Sequence, residues 1–540
     1  MFNRLPLISG LTLHCRTRCC QMLSCRALRR LTLSCLFLCG LLSGGLSPFI
    51  PAVLCAAERP NFVILLCDDM GYGDLGCFGH PQIQSPHLDQ LALDGVRLTD
   101  CYSSAPICSP SRAGLLSGRI PTRSGIYSWI AEHNPMQLRA GIPTISGLLK
   151  TAGYDTCHVG KWHVNGEFNS PAQAQPPDHG FDYWFATQNN AIPSHRNPQN
   201  FVRNGTAVGE ISGYSCQIVA EEATRWLRSR EEPQKPFFLN VWFHETHEPV
   251  DSPDELVAKY PQARNRDEAE YFANVTNMDH AVGRLLETLA ELHLDDNTLV
   301  FFTSDNGPET LLRYKKANRS YGSAAPLRGM KLFLYEGGIR VPGILRWPGR
   351  ISPGQIDSTP VCALDLLPTF CELAGVTVPA NLKLDGVSLV PWLEGKSLMR
   401  PQPLFWHYYG GEQQRQVALR DGDWKIVAWS DQPVVKGSGS TFKPGILPGL
   451  KQSKLVGCEL YHISTDPQET EDLAGQEPER ARRMLAAAEQ IYAQALAEGP
   501  DWFHELPPKT GTPLKSDAEP DQTPAAMPDA KPQAVPAAEK

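Results

Sequence analysis

The stretch "NFVILLCDD", Asn61–Asp69, combines a continuous apolar run with two aspartates that follow it directly. Two further runs have the same character, "PFFLNVWF" at Pro236–Phe243 and "NTLVFFTS" at Asn297–Ser304. Apolar runs of this length are typical of strands that are buried on both faces of a mostly parallel sheet. The three runs therefore predict the centre of an open α/β sheet.

Each run ends in polar residues that can do chemistry, namely Asp68 and Asp69, His244 and His247, and Asp305 and Asn306. Ligands of open α/β sheets bind beyond the carboxyl ends of the strands, so we expect one shared site. A single Asp pair after a strand is usually a helix cap or a solvated turn, whereas two pairs at equivalent strand ends favour a metal site. Oxygen ligands of this kind suit Ca²⁺ or Mg²⁺ better than zinc. His244 is expected to be structural.

The pattern of elements changes along the chain of 540 residues. Strand and helix patterns alternate from 58 to 395, which predicts one α/β domain. Residues 396–506 contain short strands, a hairpin signal in "VALRDGDWKIVAW" and one helical segment, "PERARRMLAAAEQIYAQALAEG". This region is predicted to form a smaller antiparallel sheet with one helix. Residues 507–540 are rich in Pro and Ala with almost no large apolar residue, which predicts a disordered tail.

Residues 1–57 have the pattern of a signal peptide. They contain six arginines and no acidic residue, and the apolar run "LTLSCLFLCGLLSGGL" is followed by small residues near Ala57. Met22 is an alternative start. Glycine and proline interrupt the apolar run, so cleavage is favoured over a membrane anchor. We expect an exported protein, periplasmic or extracellular, with no stable membrane span in the mature form.

Charge and cysteine content exclude several functions. Removal of six arginines and no acid from residues 1–57 would change the formal net charge from −8 to −14, so nucleic acid is not an expected partner. Seven of the 16 cysteines lie in that segment, and the odd number that remains leaves at least one unpaired thiol. The nine have no CxxC pair, which argues against a zinc ribbon or a redox dithiol.

Cysteine, proline and arginine alternate in "CSPSR", Cys108–Arg112, and "AGLLSG" continues a helical pattern. The proline suits a first helical turn, so we expect Cys108 just before a helix N-terminus, where free N–H groups favour negative charge. From these residues alone, Cys108 is either a thiolate nucleophile or a cysteine near a helix cap without a function.

The order Cys-x-Pro-x-Arg resembles the modification signal of the sulfatase family, whose cysteine is oxidised to formylglycine. Further segments between Asn61 and Leu473 resemble landmarks of that family in the same order, including "GYDTCHVGKWH" (153–163), "THEP" (246–249), "FFTSDNG" (301–307), "LRGMKLFLYEGGIRVP" (327–342) and "LDGVSLVPWLEG" (384–395). The resemblance implies an alkaline-phosphatase-like α/β fold, in which helices sandwich a large, mostly parallel sheet. The segment around Cys108 is similar to the arylsulfatase and N-acetylgalactosamine-6-sulfatase branch.

The resemblance also implies roles for individual residues. A formylglycine-generating maturation enzyme would convert Cys108 to formylglycine (3-oxoalanine), whose hydrate attacks sulfur. Ca²⁺ is the favoured metal, with Mg²⁺ as the alternative, and its implied ligands are Asp68, Asp69, Cys108, Asp305 and Asn306. The remaining implied catalytic residues are Arg112, which holds the hydrate and one metal ligand, Lys161 and Lys331, which bind sulfate oxygens, His163 as base, and His247 as acid. The division of acid and base roles among His163, His247 and Lys331 stays open.

The implied function is hydrolysis of the sulfate ester of a sulfated sugar or an aryl sulfate. "ATQNNAIPSHRNPQNF" (186–201) is too polar for a core element. It is either a structural Ω-loop or a substrate loop that binds sugar through Asn189, Asn190, His195 and Arg196. Two other functions stay open: a phosphonate or phosphate ester hydrolase of the same superfamily, and a catalytically dead protein that binds sulfated glycans. Lys161, His163 and Lys331 in their motifs favour sulfate.

Export is testable at the N-terminus. We expect the mature protein to begin close to Glu58, because the small residues before it suit a signal peptidase. N-terminal sequencing of protein recovered outside the cytoplasm checks this, and an intact presequence on cytoplasmic protein would contradict it.

Overall fold

The computed structural model describes residues 59–309, 318–432 and 442–503. The predicted signal peptide, 1–57, and the predicted tail, 507–540, lie outside the described residues and stay predictions. No helix in the described ranges is both long enough and apolar enough to cross a membrane.

The strands of the described residues are β1 (Asn61–Cys67), β2 (Val96–Leu98), β3 (Cys101–Tyr102), β4 (Asp155–Lys161), β5 (Tyr183–Thr187), β6 (Val202–Arg203), β7 (Thr206–Ala207), β8 (Phe237–Trp242), β9 (Thr298–Ser304), β10 (Gly343–Arg346), β11 (Gln355–Asp357), β12 (Val361–Cys362), β13 (Leu404–His407), β14 (Val417–Asp421), β15 (Trp424–Ser430) and β16 (Leu455–His462).

The α-helices are α1 (Pro86–Leu93), α2 (Cys108–Ser117), α3 (Ile145–Thr151), α4 (Ser215–Ser229), α5 (Asp254–Val257), α6 (Arg266–Glu291), α7 (Glu336–Ile339), α8 (Leu366–Ala374), α9 (Val390–Leu393), α10 (Ile446–Gln452) and α11 (Pro478–Glu498). Short 3₁₀ helices occupy Gly76–Phe78, Pro121–Ser124, Pro176–His179, Asp295–Asn297, Ala363–Asp365 and Glu412–Gln414.

The three apolar runs of the sequence are neighbouring strands of one large sheet. Its order in the described residues is β11-β2-β10-β9-β1-β8-β4-β5-β6-β7. The central strands β9, β1, β8, β4 and β5 are all parallel, and antiparallel strands lie toward both edges. Leu66 of β1 pairs with Trp242 of β8 and with Thr303 of β9. The carboxyl ends of these three strands therefore meet, as the sequence predicted.

Both faces of the large sheet are buried. Alternate β1 residues, Phe62, Ile64 and Leu66, pack into one apolar cluster, and Val63, Leu65 and Cys67 pack into another on the opposite face. Full burial of such a side chain stabilises the fold by roughly 1.5–3 kcal/mol. A strand with no polar face requires cover on both sides, and helices such as α6 and α8 supply it. The predicted α/β class is confirmed.

The predicted smaller sheet is also present. Strands β13, β14, β15 and β16 form an antiparallel sheet, and α11 follows them. The turn between β14 and β15 contains Gly422 at φ 59°, a conformation that glycine adopts without strain. The boundary placed between residues 395 and 396 stays a prediction. Side chains of both sheets, such as Phe62 of β1 and Trp406 of β13, belong to one apolar cluster.

A buried ionic cluster joins the small sheet to the segment that contains Lys331. Lys425 of β15 donates to Glu336 of α7 at 2.8 Å and lies 2.9 Å from Glu469. Burial alone would raise the pKa of Glu336, but Lys425 and Arg340 outweigh it and lower this pKa to about 2. Burial raises the pKa of Glu469 to about 7 although Lys425 opposes it. Because an unpaired buried charge is costly, the cluster favours a single arrangement of the two sheets.

Candidate active site

Three carboxylates meet at the ends of β1 and β9. The parallel register pairs Cys67 with Ser304, so the residues that follow both strands lie side by side. Oxygen atoms of Asp68, Asp69 and Asp305 all lie within 4.8 Å of one another, and all three residues are buried. The structure thus brings these predicted metal ligands together.

Backbone geometry directs these side chains toward one another. Asp69 has φ 62°, a left-handed conformation that Asp tolerates better than most residues. Its N–H donates to Asp305 Oδ1 at 3.2 Å. Asn306 Nδ2 donates to Asp69 Oδ1 at 2.7 Å. The endings of β1 and β9 are therefore held together by direct hydrogen bonds.

The donor set fits a hard divalent cation. Asp68 Oδ1 and Asn306 Oδ1 are buried and accept no hydrogen bond from the described residues. Buried acceptors without a partner are uncommon, because desolvation costs about 1–3 kcal/mol per group. Oxygens of three carboxylates and one amide are ligands that Ca²⁺ and Mg²⁺ accept. The predicted cation site is chemically consistent with the structure, and the identity of the ion stays a prediction.

Cys108 lies deeper and further into its helix than the sequence predicted. The sequence placed it just before a helix, but α2 begins at Cys108 and Ile107 is the extended N-cap residue. Pro110 does not delay the helix, because the N–H that proline lacks has no intrahelical acceptor in the first turn. Every residue of α2 is buried. The Cys108 sulfur is not among the atoms of the carboxylate group, so its predicted role as a metal ligand stays a prediction.

The thiol of Cys108 is poorly suited to direct attack. Burial raises the pKa of Cys108 to about 11, although the ammonium groups of Lys161 and Lys331 oppose this effect. An unmodified Cys108 is therefore protonated at neutral pH. Because the thiolate is the nucleophilic form of cysteine, the burial of Cys108 argues against a simple thiolate enzyme.

Arg112 projects from the first turns of α2 into the carboxylates. Its Nε donates to Asp305 Oδ2 at 2.9 Å, and its Nη2 lies 2.7 Å from Asp305 Oδ2 and 3.5 Å from Asp68 Oδ1. It also donates to the Lys161 carbonyl at 3.2 Å, and its guanidinium carbon lies 5.1 Å from the centre of the Trp242 ring. Burial raises the pKa of Asp305, although Arg112 opposes it.

Each of the two predicted lysines pairs with one aspartate. Lys161, at the end of β4, donates to Asp68 Oδ2 at 2.6 Å, and Lys331 donates to Asp69 Oδ2 at 2.6 Å. Both lysines are buried. Burial alone would raise the pKa of Asp68, but Lys161 and His247 outweigh it and hold this pKa well below its usual range. The site therefore holds two buried lysine ammonium groups against two aspartates.

His163 presents an unpaired ring nitrogen to the interior of the site. Its Nε2 donates to the Ile130 carbonyl at 3.1 Å, which leaves Nδ1 unprotonated in the neutral ring. Nδ1 is buried and has no hydrogen-bond partner among the described residues. Burial, with Lys161 and Arg112, lowers the pKa of His163 well below its usual value. A neutral imidazole with a free lone pair has the form of a base.

His247 follows β8 and faces the second aspartate. Its Nδ1 donates to the Glu248 carbonyl at 2.6 Å, and its Nε2 lies 3.5 Å from Asp69 Oδ2. Burial and the Lys331 ammonium lower the pKa of His247 to about 4. In its neutral form, therefore, His247 carries no proton on Nε2. The neighbouring His244 is buried and its Nε2 bonds the Thr187 hydroxyl at 2.8 Å, a structural contact.

The polar loop at 186–201 divides into two parts. Asn190 Oδ1 lies 3.4 Å from Lys161 Nζ, so this residue borders the site. His195 is buried and its Nδ1 lies 3.0 Å from Asn274 Nδ2, a contact within the protein, so its role in sugar binding stays a prediction. Arg196 is exposed. The choice between a structural Ω-loop and a substrate loop stays open.

Sequence reasoning missed two features of the molecule. Glu309 is buried and its Oε2 lies 3.2 Å from Lys331 Nζ. The available signal was its position in "DNGPE", directly after a predicted site strand. In addition, all nine cysteines of the described residues are free thiols. The odd number of cysteines required only one unpaired thiol.

Three buried carboxylates, two lysines and an arginine at the strand ends of an open α/β sheet form a ligand site with fixed cations that suit an anionic substrate. The sulfatase family profile matches residues 60–376, and the profile of the C-terminal region of N-sulphoglucosamine sulphohydrolase matches residues 330–435. The chain therefore belongs to the sulfatase family and is a sulfuric ester hydrolase.

Individual relatives agree with this assignment. Human N-acetylgalactosamine-6-sulfatase is 33% identical over 82% of this chain and 87% of its own length. Human arylsulfatase A is 33% identical over 82% of this chain and 89% of its own length. The crystal structure of Ps i-CgsB in complex with k-i-k-neocarrahexaose superimposes with a TM-score of 0.68 at 27% identity, over 81% of this chain and 93% of that one. The resemblance found in the sequence is confirmed.

Removal of one carboxylate tests the cation site. We expect Asp305→Ala to weaken Ca²⁺ binding and to lower turnover at least about 100-fold, because the substitution removes an anionic ligand and the partner of Arg112. Calorimetric titration with Ca²⁺ and assays after chelation and Ca²⁺ addition measure both effects. The control is Asp94→Ala, which removes an exposed carboxylate. Unchanged Ca²⁺ affinity in Asp305→Ala, or full activity in the chelated wild type, would contradict the assignment.

Proposed function

We propose that this chain hydrolyses sulfate esters of sulfated carbohydrates through a formylglycine at position 108. The observation that supports this most strongly is the position of Cys108. Its helix begins beside the carboxylates, and the ammonium groups of Lys161 and Lys331 act on it electrostatically. A cysteine whose thiol stays protonated there has little use unless it is converted to another group.

The absent groups would supply two kinds of chemistry. Formylglycine supplies a geminal diol, of which one hydroxyl is the nucleophile and the other permits release of sulfate. A divalent cation, Ca²⁺ in our proposal, would be held by Asp68, Asp69, Asp305 and Asn306 and would polarise oxygen atoms of the bound sulfate group. A formylglycine-generating enzyme is the implied maturation partner.

The fixed cations would bind the charge that develops on sulfate. Lys161 and Lys331 are buried and held in place by Asp68 and Asp69, so they need little reorganisation as substrate reacts. Arg112 is hydrogen-bonded to Asp305 and would orient the oxygen atoms of residue 108. These residues suit a tetrahedral anionic group.

His163 is proposed as the base. Its Nδ1 lone pair is free, and its Nε2–H is fixed by the Ile130 carbonyl, so it could accept the proton of the remaining hydroxyl of residue 108 as the aldehyde re-forms and sulfate leaves. His247 is proposed as the acid for the leaving oxygen. Because its Nδ1–H is donated to a carbonyl, it can act as an acid only after Nε2 gains a proton. Lys331 beside it is the alternative donor.

A sulfated sugar is the proposed substrate, with an aryl sulfate as the alternative. Relatives of this chain are named N-acetylgalactosamine-6-sulfatase and arylsulfatase A, and one similar structure contains k-i-k-neocarrahexaose. Asn190 is placed beside Lys161, where its amide can bind a sugar hydroxyl. We further propose export to the periplasm or the extracellular space.

Two other functions have less support. A phosphonate or phosphate ester hydrolase would share the carboxylates and Cys108. A catalytically dead glycan-binding protein would not need Lys161 and Lys331 to act on Cys108, nor a buried His163 near Lys161 and Arg112, and the chain has all of these.

Substitution of Cys108 tests the mechanism. Mass spectrometry of the peptide around residue 108 should show formylglycine in active protein. Cys108→Ala should be inert. Cys108→Ser should accept sulfate and then stall, because one hydroxyl can attack but no second hydroxyl remains to release the product. If unmodified Cys108 protein turns over sulfate esters as fast as modified protein, the mechanism is wrong.

A substrate panel tests the function itself. We expect desulfation of defined sulfated mono- and oligosaccharides, and a rate with nitrophenyl sulfate at least about 100-fold above that with nitrophenyl phosphonate, because Lys161, His163 and Lys331 lie in motifs that resemble those of sulfatases. Ion chromatography of released sulfate measures the first result and absorbance the second. A preference for the phosphonate would favour the first alternative, and no turnover despite confirmed formylglycine would favour the second.

A further inference from the structure

Glu309 has no part in the proposed chemistry but touches a residue that does. It follows β9 in the segment "DNGPE" and is buried, with its Oε2 3.2 Å from Lys331 Nζ. The same ammonium donates to Asp69 Oδ2 at 2.6 Å. One cation is thus held between two carboxylates that follow different strands.

The surroundings of this ammonium have the composition of a metal site. Asp69, His247 and Glu309 each offer one ligand atom, and these atoms lie within 4.8 Å of one another. This group shares Asp69 with the carboxylates of Asp68 and Asp305. Two adjoining ligand sets therefore exist, and the Lys331 ammonium contacts two carboxylates of the second.

A lysine needs such support to act as a fixed charge. Its ammonium is a point charge on a flexible four-carbon stem, and ordering that stem costs conformational entropy. Asp69 alone is a poor anchor, because its other oxygen already accepts from Asn306 and it belongs to the first ligand set. A second carboxylate fixes the ammonium from another direction and supplies part of its missing solvation.

We propose that Glu309 is a positioning residue that, with Asp69, holds the Lys331 ammonium where a second divalent cation would otherwise bind. Lys331 then serves as the second cation of the site, and Glu309 acts through it without touching substrate. The catalytic half of this inference rests on the proposed role of Lys331 in binding sulfate.

A double-mutant cycle tests the coupling of Glu309 to Lys331. We expect Glu309→Gln to lower kcat/KM about tenfold in the wild-type background, because it removes a charged hydrogen-bond partner of the ammonium. In the Lys331→Ala background the same change should alter kcat/KM less than about twofold. Equal losses in both backgrounds would mean that Glu309 acts independently of Lys331 and would overturn the proposal.

Metal counting tests the site without reference to activity. Purified chains are dialysed against Mn²⁺, which accepts mixed carboxylate and imidazole ligands, and the bound ion is measured by atomic absorption. We expect Lys331→Ala to bind one more Mn²⁺ per chain than the wild type. Adding Glu309→Gln or His247→Ala to that variant should remove the extra ion. Two double variants are made so that the test still stands if one of them does not fold.

The matched control is Lys161→Ala. Lys161 is also buried and also pairs with an aspartate of the first ligand set. Among the described residues, however, its ammonium forms an ion pair with Asp68 alone and lies outside the second ligand set, so Lys161→Ala should gain no ion. An extra ion in Lys161→Ala, or none in Lys331→Ala, would overturn the inference. A wild type that binds no metal while Lys331→Ala binds one would instead contradict the cation of the proposed function and leave the inference standing.

Discussion

The buried pair between Arg112 and Asp305 is the contact on which the site depends. It joins α2, which begins at Cys108, to the ending of β9, and the same guanidinium reaches the carbonyl of Lys161 at the end of β4. Removing one partner of a buried ion pair typically costs about 3–5 kcal/mol, because the other charge remains buried. The helix, the two strand endings and the carboxylates are therefore interdependent, and none of them can shift alone.

The sequence predicted the centre of the fold and most of the site because the signals were local. Continuous apolar runs identified β1, β8 and β9, and parallel strands must bring their carboxyl ends to one edge. Asp68 and Asp305, which follow β1 and β9, could therefore be predicted to lie close together from the sequence alone. The start of α2 was misjudged by a residue or two because Pro110 is compatible with several positions in the first turn.

Contacts between distant segments could not be predicted in this way. Nothing near His195 in the sequence indicates that Asn274 of α6 encloses its ring. Glu309 and Lys331 lie on different segments of the chain. Their ion pair could not be predicted, because no periodic pattern in the sequence relates a carboxylate to a distant ammonium. The protonation states of Cys108 and His247 likewise follow from burial and from neighbouring charges, which only the folded chain supplies.

The burial of α2 has a consequence for the order of events in the cell. Residues 108–117 are all enclosed, so a modifying enzyme cannot reach Cys108 once the domain has closed. Under the proposed mechanism, conversion to formylglycine would therefore have to precede closure of the domain. A molecule that folds first would keep an unmodified Cys108 inside a native structure. The specific activity would then depend on the rate of Cys108 modification relative to the rate of folding. A substitution that speeds folding would yield more native protein but a smaller modified, active fraction.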